Sequence, residues 1–173
     1  MGKSMVINCG DVEADREFEK GFGIYPYISA KTCGSKNITM GVCVHTPGSR
    51  NQEHVHNNIE VIWFTLTGHS LHYSCTTDHQ EYAETECFPG TIGYVHPGEI
   101  HVGMNLNADD TGSNIFCYLG ANMMDQAGTV FYQDVGVVAD YMEKHGRDLR
   151  DVLSEAGLKE TAELFQNREK VKK

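Results

Sequence analysis

The sequence is short of positive charge where a ligand would be held. It carries 14 Lys and Arg against 24 Asp and Glu, a formal net charge of -10. Between Asn37 and Glu143 the one basic side chain other than histidine is Arg50. Such a surface repels phosphate backbones, which argues against a nucleic-acid partner. A pocket built from this stretch has little cationic lining, so it suits a neutral or cationic small molecule, or an anion that docks on a bound metal. Also missing is any run of about 18 apolar residues, the length needed to span a bilayer, so no membrane partner is expected. The N-terminal MGKSMVINCGD has no apolar core of a secretory leader. Six cysteines are present and none forms a CxxC pair, which argues against a zinc ribbon or a thioredoxin-type centre. Reduced thiols in a cytoplasmic protein are the expectation, with Cys43 and Cys117 as small core residues. Gly2-Lys3-Ser4 echoes the end of a phosphate-binding loop but lacks the preceding glycine and strand.

What is present organises 173 residues into one domain with flanks. Residues 1–21 read as an N-terminal extension, with a short helix expected over Asp11–Lys20. From 22 to 133, short β-like runs alternate with turn residues. The runs are Gly23–Ala30, Asn37–Thr46, Ile59–Thr67, Ser70–Thr77, Thr91–His96, Ile100–Leu106 and Asn114–Gly120. Breaks fall at Pro47-Gly48, Gly68, Pro89-Gly90, Pro97-Gly98 and Asp109–Gly112. The acidic stretch Glu81–Glu86 reads as a solvated loop. Regularly spaced short strands predict an antiparallel sandwich or barrel. Residues 134–173 change character to helix and are expected to pack on the barrel or at a subunit contact.

Chemistry concentrates in two stretches. In Gly48–Gly68, His54, His56 and Glu60 stand at even spacing in a strand-like segment. Strand side chains alternate faces, so this parity sends two imidazoles and a carboxylate the same way. His101 follows 41 residues after Glu60. Three imidazoles and a carboxylate meeting at one point suit a divalent metal. Extending the parity of Glu60 places Ile62, Phe64 and Leu66 in the interior, with Val61, Trp63 and Thr65 facing away. Trp63 is then packing or subunit contact. The parity of the next strand does not say which of His72 or Tyr73 faces inward.

The same residues resemble the two motifs of the cupins, a superfamily of small β-barrels. Gly48, His54, His56 and Glu60 fit the first, G-x5-H-x-H-x3 or x4-E-x6-G, with Gly68 one residue late. Gly90, Gly98, His101 and Asn105 fit the second, G-x5-P-x-G-x2-H-x3-N. There His96 stands at the proline position and Pro97 follows it. The resemblance covers Asn37–Gly120. It implies a mainly β chain: a double-stranded β-helix, or jelly-roll barrel, with helices C-terminal to it. It also implies a divalent metal (Fe, Mn, Ni, Zn or Co) on His54, His56, Glu60 and His101, and a homodimer.

Cupin activities are scattered, so function must come from the site. The expected reading is a metal-dependent enzyme on a small oxygenated or carbonyl-bearing molecule, by dioxygenase, isomerase or lyase chemistry. The alternative is a non-catalytic sensor or storage module. Acid–base candidates are His72 or Tyr73, then Tyr94, His96 and Tyr118; packing is the competing role for each. Gly103 shares a face with His101 and would leave room beside the metal.

Overall fold

A computed structural model describes residues 4–14, 22–76 and 81–131. The expected C-terminal helices lie outside the described residues, as does most of the Asp11–Lys20 helix. The described part of that segment holds only the end of a 3-10 turn, Cys9–Asp11.

Among the described residues ten strands form two five-stranded antiparallel sheets. The first sheet runs β1 (Phe22–Ile28), β2 (Ile38–His45), β9 (Gly112–Leu119), β4 (Glu60–Thr67) and β7 (Ile92–Val95) in spatial order. The second runs β10 (Thr129–Phe131), β3 (His54–His56), β8 (Ile100–Asn105), β5 (Ser70–Cys75) and β6 (Tyr82–Cys87). Seven of these strands match the expected runs. The one described α-helix, α1 (Ala30–Cys33), is a single turn capped by the Ser29 side chain, which accepts from the Thr32 N–H at 3.2 Å.

Three strands depart from expectation. The acidic stretch read as a loop is β6, paired with β5 along its length. Its Glu84 and Glu86 alternate with Ala83 and Thr85, and charge along an edge strand deters edge-to-edge aggregation. β3 and β10 are three residues each and stand outside the expected runs, although His54–His56 lies in the segment read as strand-like.

Pro-Gly pairs close the turns. The Ser49, Thr91 and Glu99 amides donate back to the Thr46, Phe88 and His96 carbonyls at 3.1, 2.9 and 3.1 Å. Proline presets the first central residue of such a turn, and glycine supplies the left-handed second, as at Gly98 with φ 82°. This accounts for the displaced proline of the second motif: Pro97 holds the first central position of the His96–Glu99 turn. The Gly98 amide then donates to the His56 carbonyl at 2.9 Å, tying this turn to β3.

Asn105 is the other fastener. It is buried at the end of β8. Its Nδ2 donates toward the His45, Thr46 and Asp110 carbonyls at 3.4, 3.1 and 2.9 Å, and its Oδ1 accepts from the Asn107 amide at 3.1 Å. One amide thus joins the ends of β2 and β8 to the loop before β9. Asn105→Ala should lower the unfolding free energy by about 2–3 kcal/mol, since it strands several buried groups at once. Urea titration followed by circular dichroism measures that loss.

Candidate metal centre

The two motifs meet where β3 pairs with β8, with His54 directly opposite His101. His54 and His56, two residues apart on β3, project into the barrel on one side. Their ring centroids lie 4.9 Å apart, and those of His54 and His101 4.2 Å. One potential ligand atom from each of the three lies within 4.8 Å of the others, and all three residues are buried.

The far nitrogen of each ring is engaged. Nδ1 of His54 donates to the Gln52 carbonyl at 2.7 Å, and Nδ1 of His101 to the Glu99 carbonyl at 3.1 Å. Nδ1 of His56 meets the Thr129 hydroxyl at 2.9 Å. A carbonyl accepts only from N–H, so the first two rings keep their lone pairs on Nε2. His56 Nε2 is buried with no hydrogen-bond partner. A buried imidazole nitrogen left bare is costly unless something binds it. Burial and the neighbouring imidazoles push His54, His56 and His101 down to about 3, so the rings are neutral donors at physiological pH. Outer contacts that fix the tautomer of inward-facing imidazoles are what metal-ligating histidines carry. The donor set fits a divalent ion.

Glu60 is not among these donors. It was expected on the face of His54 and His56, and the structure turns it to the outer surface. The reason is a break in the count. Asn57–Ile59 form a turn between β3 and β4, so alternation does not run through from His56. The inward residues of β4 are Val61, Trp63 and Thr65, the reverse of the expected set. Ile62, Phe64 and Leu66 face out. Trp63 lines the cavity, its indole stacked over Gly93, where a Cβ would strike the ring.

The remaining candidates separate cleanly. His72 and Tyr118 line the cavity with the three clustered histidines, Tyr118 with its ring 4.9 Å from His56. Burial pushes His72 down to about 4, opposed by the Glu99 carboxylate. Tyr73 lies on the opposite side of β5, fully buried away from the cavity. Tyr94 alternates with the inward Val95 and Gly93, so it points outward beside Glu60. Desolvation first and then the Glu60 carboxylate raise its phenol. His96 is exposed and packs edge-on against Tyr94. Neither reaches the cavity.

The cavity holds about 100 Å³ and also contains residues that the sequence did not single out. His45 and Cys43 enter from β2 and Asn114 from β9; the Asn114 amide donates to His45 Nε2 at 3.2 Å. Burial lowers His45 to about 4. Asn51 accepts from the Gly103 amide at 2.6 Å, and Val61 and Phe116 supply apolar wall. Alternation of Cys43 with His45 on a strand was the available signal for β2. Cys117 lies on the outer face, and none of the six cysteines forms a disulfide. Among the described residues no helix is long and apolar enough to cross a membrane.

Two predictions follow from this geometry. First, the metal-free protein should lose stability in acid. A buried imidazole with a lowered pKa stabilises fully above the unfolded value of about 6.5 and loses that contribution as pH falls toward the folded value. For His45 and His72 the loss runs from about 6.5 down to about 4. Thermal melts of metal-free protein should shift downward through that window, and a flat profile contradicts buried neutral rings. Second, His101→Ala should weaken divalent-ion binding by more than about 100-fold, beyond what loss of an outer contact costs, whereas Glu60→Gln leaves it unchanged. Calorimetric titration with Mn(II), Zn(II) or Ni(II) reads both.

No protein-family model matches the chain, and no curated protein matches it in sequence. Solved structures do match. An oxalate oxidase in complex with the substrate analogue glycolate aligns with TM-score 0.60 at 14% identity, covering 91% of this chain and 78% of that one. The Lactobacillus farciminis oxalate decarboxylase in its formate complex aligns at 0.62 and 12% identity, over 86% of this chain and 43% of the other. This chain therefore spans less than half of the decarboxylase. A double-stranded β-helix protein from Klebsiella pneumoniae aligns at 0.55 and 15% identity, over 76% of this chain and 99% of that one. At such identities the shared property is the path of the backbone, and by that path the chain is a double-stranded β-helix of the cupin type.

Proposed function

We propose that the protein is a metal-dependent cupin enzyme whose ion is held by His54, His56 and His101. It acts on a small oxygenated or carbonyl-bearing molecule admitted to the same cavity. The observation that carries this reading is the convergence of three neutral imidazoles, with His56 Nε2 bare, at a small buried cavity.

A divalent ion in such a site supplies Lewis acidity to a coordinated oxygen, with redox chemistry added if it is iron or manganese. The chain's own residues set the rest. Three uncharged imidazoles would leave a divalent ion's charge uncompensated, and among the described residues no Lys or Arg lines the cavity. An anionic oxygen of the ligand would provide the compensation. A cavity of about 100 Å³ suits a small ligand. Two of the similar structures hold molecules of that size, glycolate and formate. Val61, Trp63 and Phe116 keep water from the reacting atoms and strengthen electrostatics there. His72 and Tyr118 are the groups placed to hold or pass a proton on the ligand. His72 is neutral, so it can give or take a hydrogen bond without adding charge. His45, steadied by the Asn114 amide, and the Asn51 amide give the opposite wall polar contacts. Tyr94 and His96, outside the cavity, have no part in the step.

The test is metal analysis of protein purified without chelators, followed by turnover assays on small hydroxy-, keto- and dicarboxylic acids with and without oxygen. The expected result is close to one divalent ion per chain and turnover of at least one such acid. Protein that binds no ion would sink the reading. Gly103 offers a sharper probe. A side chain there would enter the cavity near Asn51 and His45. Gly103→Val should leave metal affinity intact and raise the KM or Kd for the small acid by at least about tenfold, a loss of about 1.4 kcal/mol.

A further inference from the structure

The cavity has two ends of different chemistry. The three clustered histidines mark one. Gly103 follows His101 by two residues on β8, so the other end begins roughly 6.6 Å further along the same inward face. A Cβ on Gly103 would lie 3.8 Å from Asn51 Oδ1 and 3.8 Å from His45 Cε1. Two polar side chains from separate segments therefore converge on the space this glycine leaves. His72 flanks that space from β5, opposite Gly103 in register.

Hydrogen bonds fix what each group offers there. Asn51 Oδ1 accepts from the Gly103 amide at 2.6 Å, and the Asn51 amide donates to the Gly103 carbonyl at 3.1 Å. With its oxygen committed, the Asn51 side chain has Nδ2 left to give, a donor. The Asn114 Nδ2 can only donate, so its 3.2 Å contact makes His45 Nε2 an acceptor and the His45 ring neutral. Asn105, the next inward residue of β8, is taken up by the His45, Thr46 and Asp110 carbonyls. Among the described residues no charged side chain lines this end. Arg50, the nearest guanidinium in sequence, stands 3.5 Å from the Glu53 carboxylate instead.

We infer that the neutral end around Gly103 holds the tail of the ligand, and that the substrate class is a monocarboxylic acid with an uncharged hydrogen-bond acceptor at its far end. This assignment rests on the ion site proposed for the three histidines: the acid oxygen meets the ion, and a terminal hydroxyl, carbonyl or amide lies beside Gly103 within reach of Asn51 Nδ2. About five bonds of roughly 1.5 Å, laid in a zigzag, span about 6 Å. A four-carbon acid has that reach. A second carboxylate in place of the tail would be buried with no cation to pair it, in a chain of net charge -10. An apolar tail would displace water from the Asn51 donor and give it no partner. A site built to hydrogen-bond a substrate group rejects the analogue that lacks it, and that is the selectivity expected here.

Calorimetric titration of the full chain tests this in two stages. Zn(II) is titrated first; a chain that takes up no ion removes the ion site and this assignment with it. The Zn(II)-loaded protein is then titrated with 4-hydroxybutanoate, succinate and butanoate, acids of one length that differ at the far end. The hydroxy acid should bind at least about tenfold tighter than either of the others, a margin of about 1.4 kcal/mol. Trp63 is the one tryptophan of the chain and lines the cavity, so a change in its emission reports that the acid enters there. Asn51→Asp keeps an oxygen for the Gly103 amide but exchanges the donor for a carboxylate. It should bind Zn(II) no more weakly and should reverse the preference, taking 4-aminobutanoate at least about tenfold tighter than 4-hydroxybutanoate. Circular dichroism checks that Asn51→Asp folds; if it does not, Asn114→Asp replaces it. With Zn(II) bound, three results overturn this assignment and leave the ion site standing: succinate or butanoate binding as tightly as the hydroxy acid, no binding of the hydroxy acid, or a folded aspartate variant with the wild-type order of preference.

Discussion

The pairing of β3 with β8 holds the rest in place. It sets His54 against His101, residues 47 positions apart in sequence, and without it the two histidine-bearing stretches would be separate surface features. The contact is short, and neighbouring bonds fix it. Gly98 reaches the His56 carbonyl, and β10 pairs with all three residues of β3 on the other side. Thr129 of β10 also steadies the His56 ring. A strand of three residues is thus held from both flanks, which is the rigidity a ligand-binding cluster requires.

Electrostatics then works by subtraction. Five imidazoles, those of His45, His54, His56, His72 and His101, line one cavity. Burial keeps their pKa values low, so none adds charge at neutral pH. Among the described residues the walls hold no ammonium, guanidinium or carboxylate group. A site of this kind is a neutral polar shell whose charge is brought in by its occupants. The same shell is a liability in acid, because the unfolded chain takes up protons that the folded chain refuses.

The outer surfaces follow a similar economy of side chains. A strand has two faces, and in a two-layer barrel one of them always looks outward. In β5 and β8 the outward row is apolar and covered. In β4 and β7 it is apolar and open, with Phe64 and Ile92 side by side. Burying such rows is worth about 25 cal/mol per Å² of apolar area, so leaving them wet forgoes a substantial stabilisation.

Much of this was legible in the residues alone. Alternating short runs and Pro-Gly turns determined seven strands and the antiparallel barrel, because period two and turn chemistry are local properties. The spacing of His54, His56 and His101 picked out the three imidazoles that meet in the cavity, because those residues sit within strands. Facing was not local. Parity says which residues share a side but not which side is inside, and the Asn57–Ile59 turn resets the count. Only the packing of the sheets put Val61 inward where Glu60 had been expected, sent Tyr94 and His96 out, and chose His72 over Tyr73. Only packing, too, brought His45, Asn51 and Asn114 to the cavity, since each comes from a different segment and nothing in its own neighbourhood records the meeting.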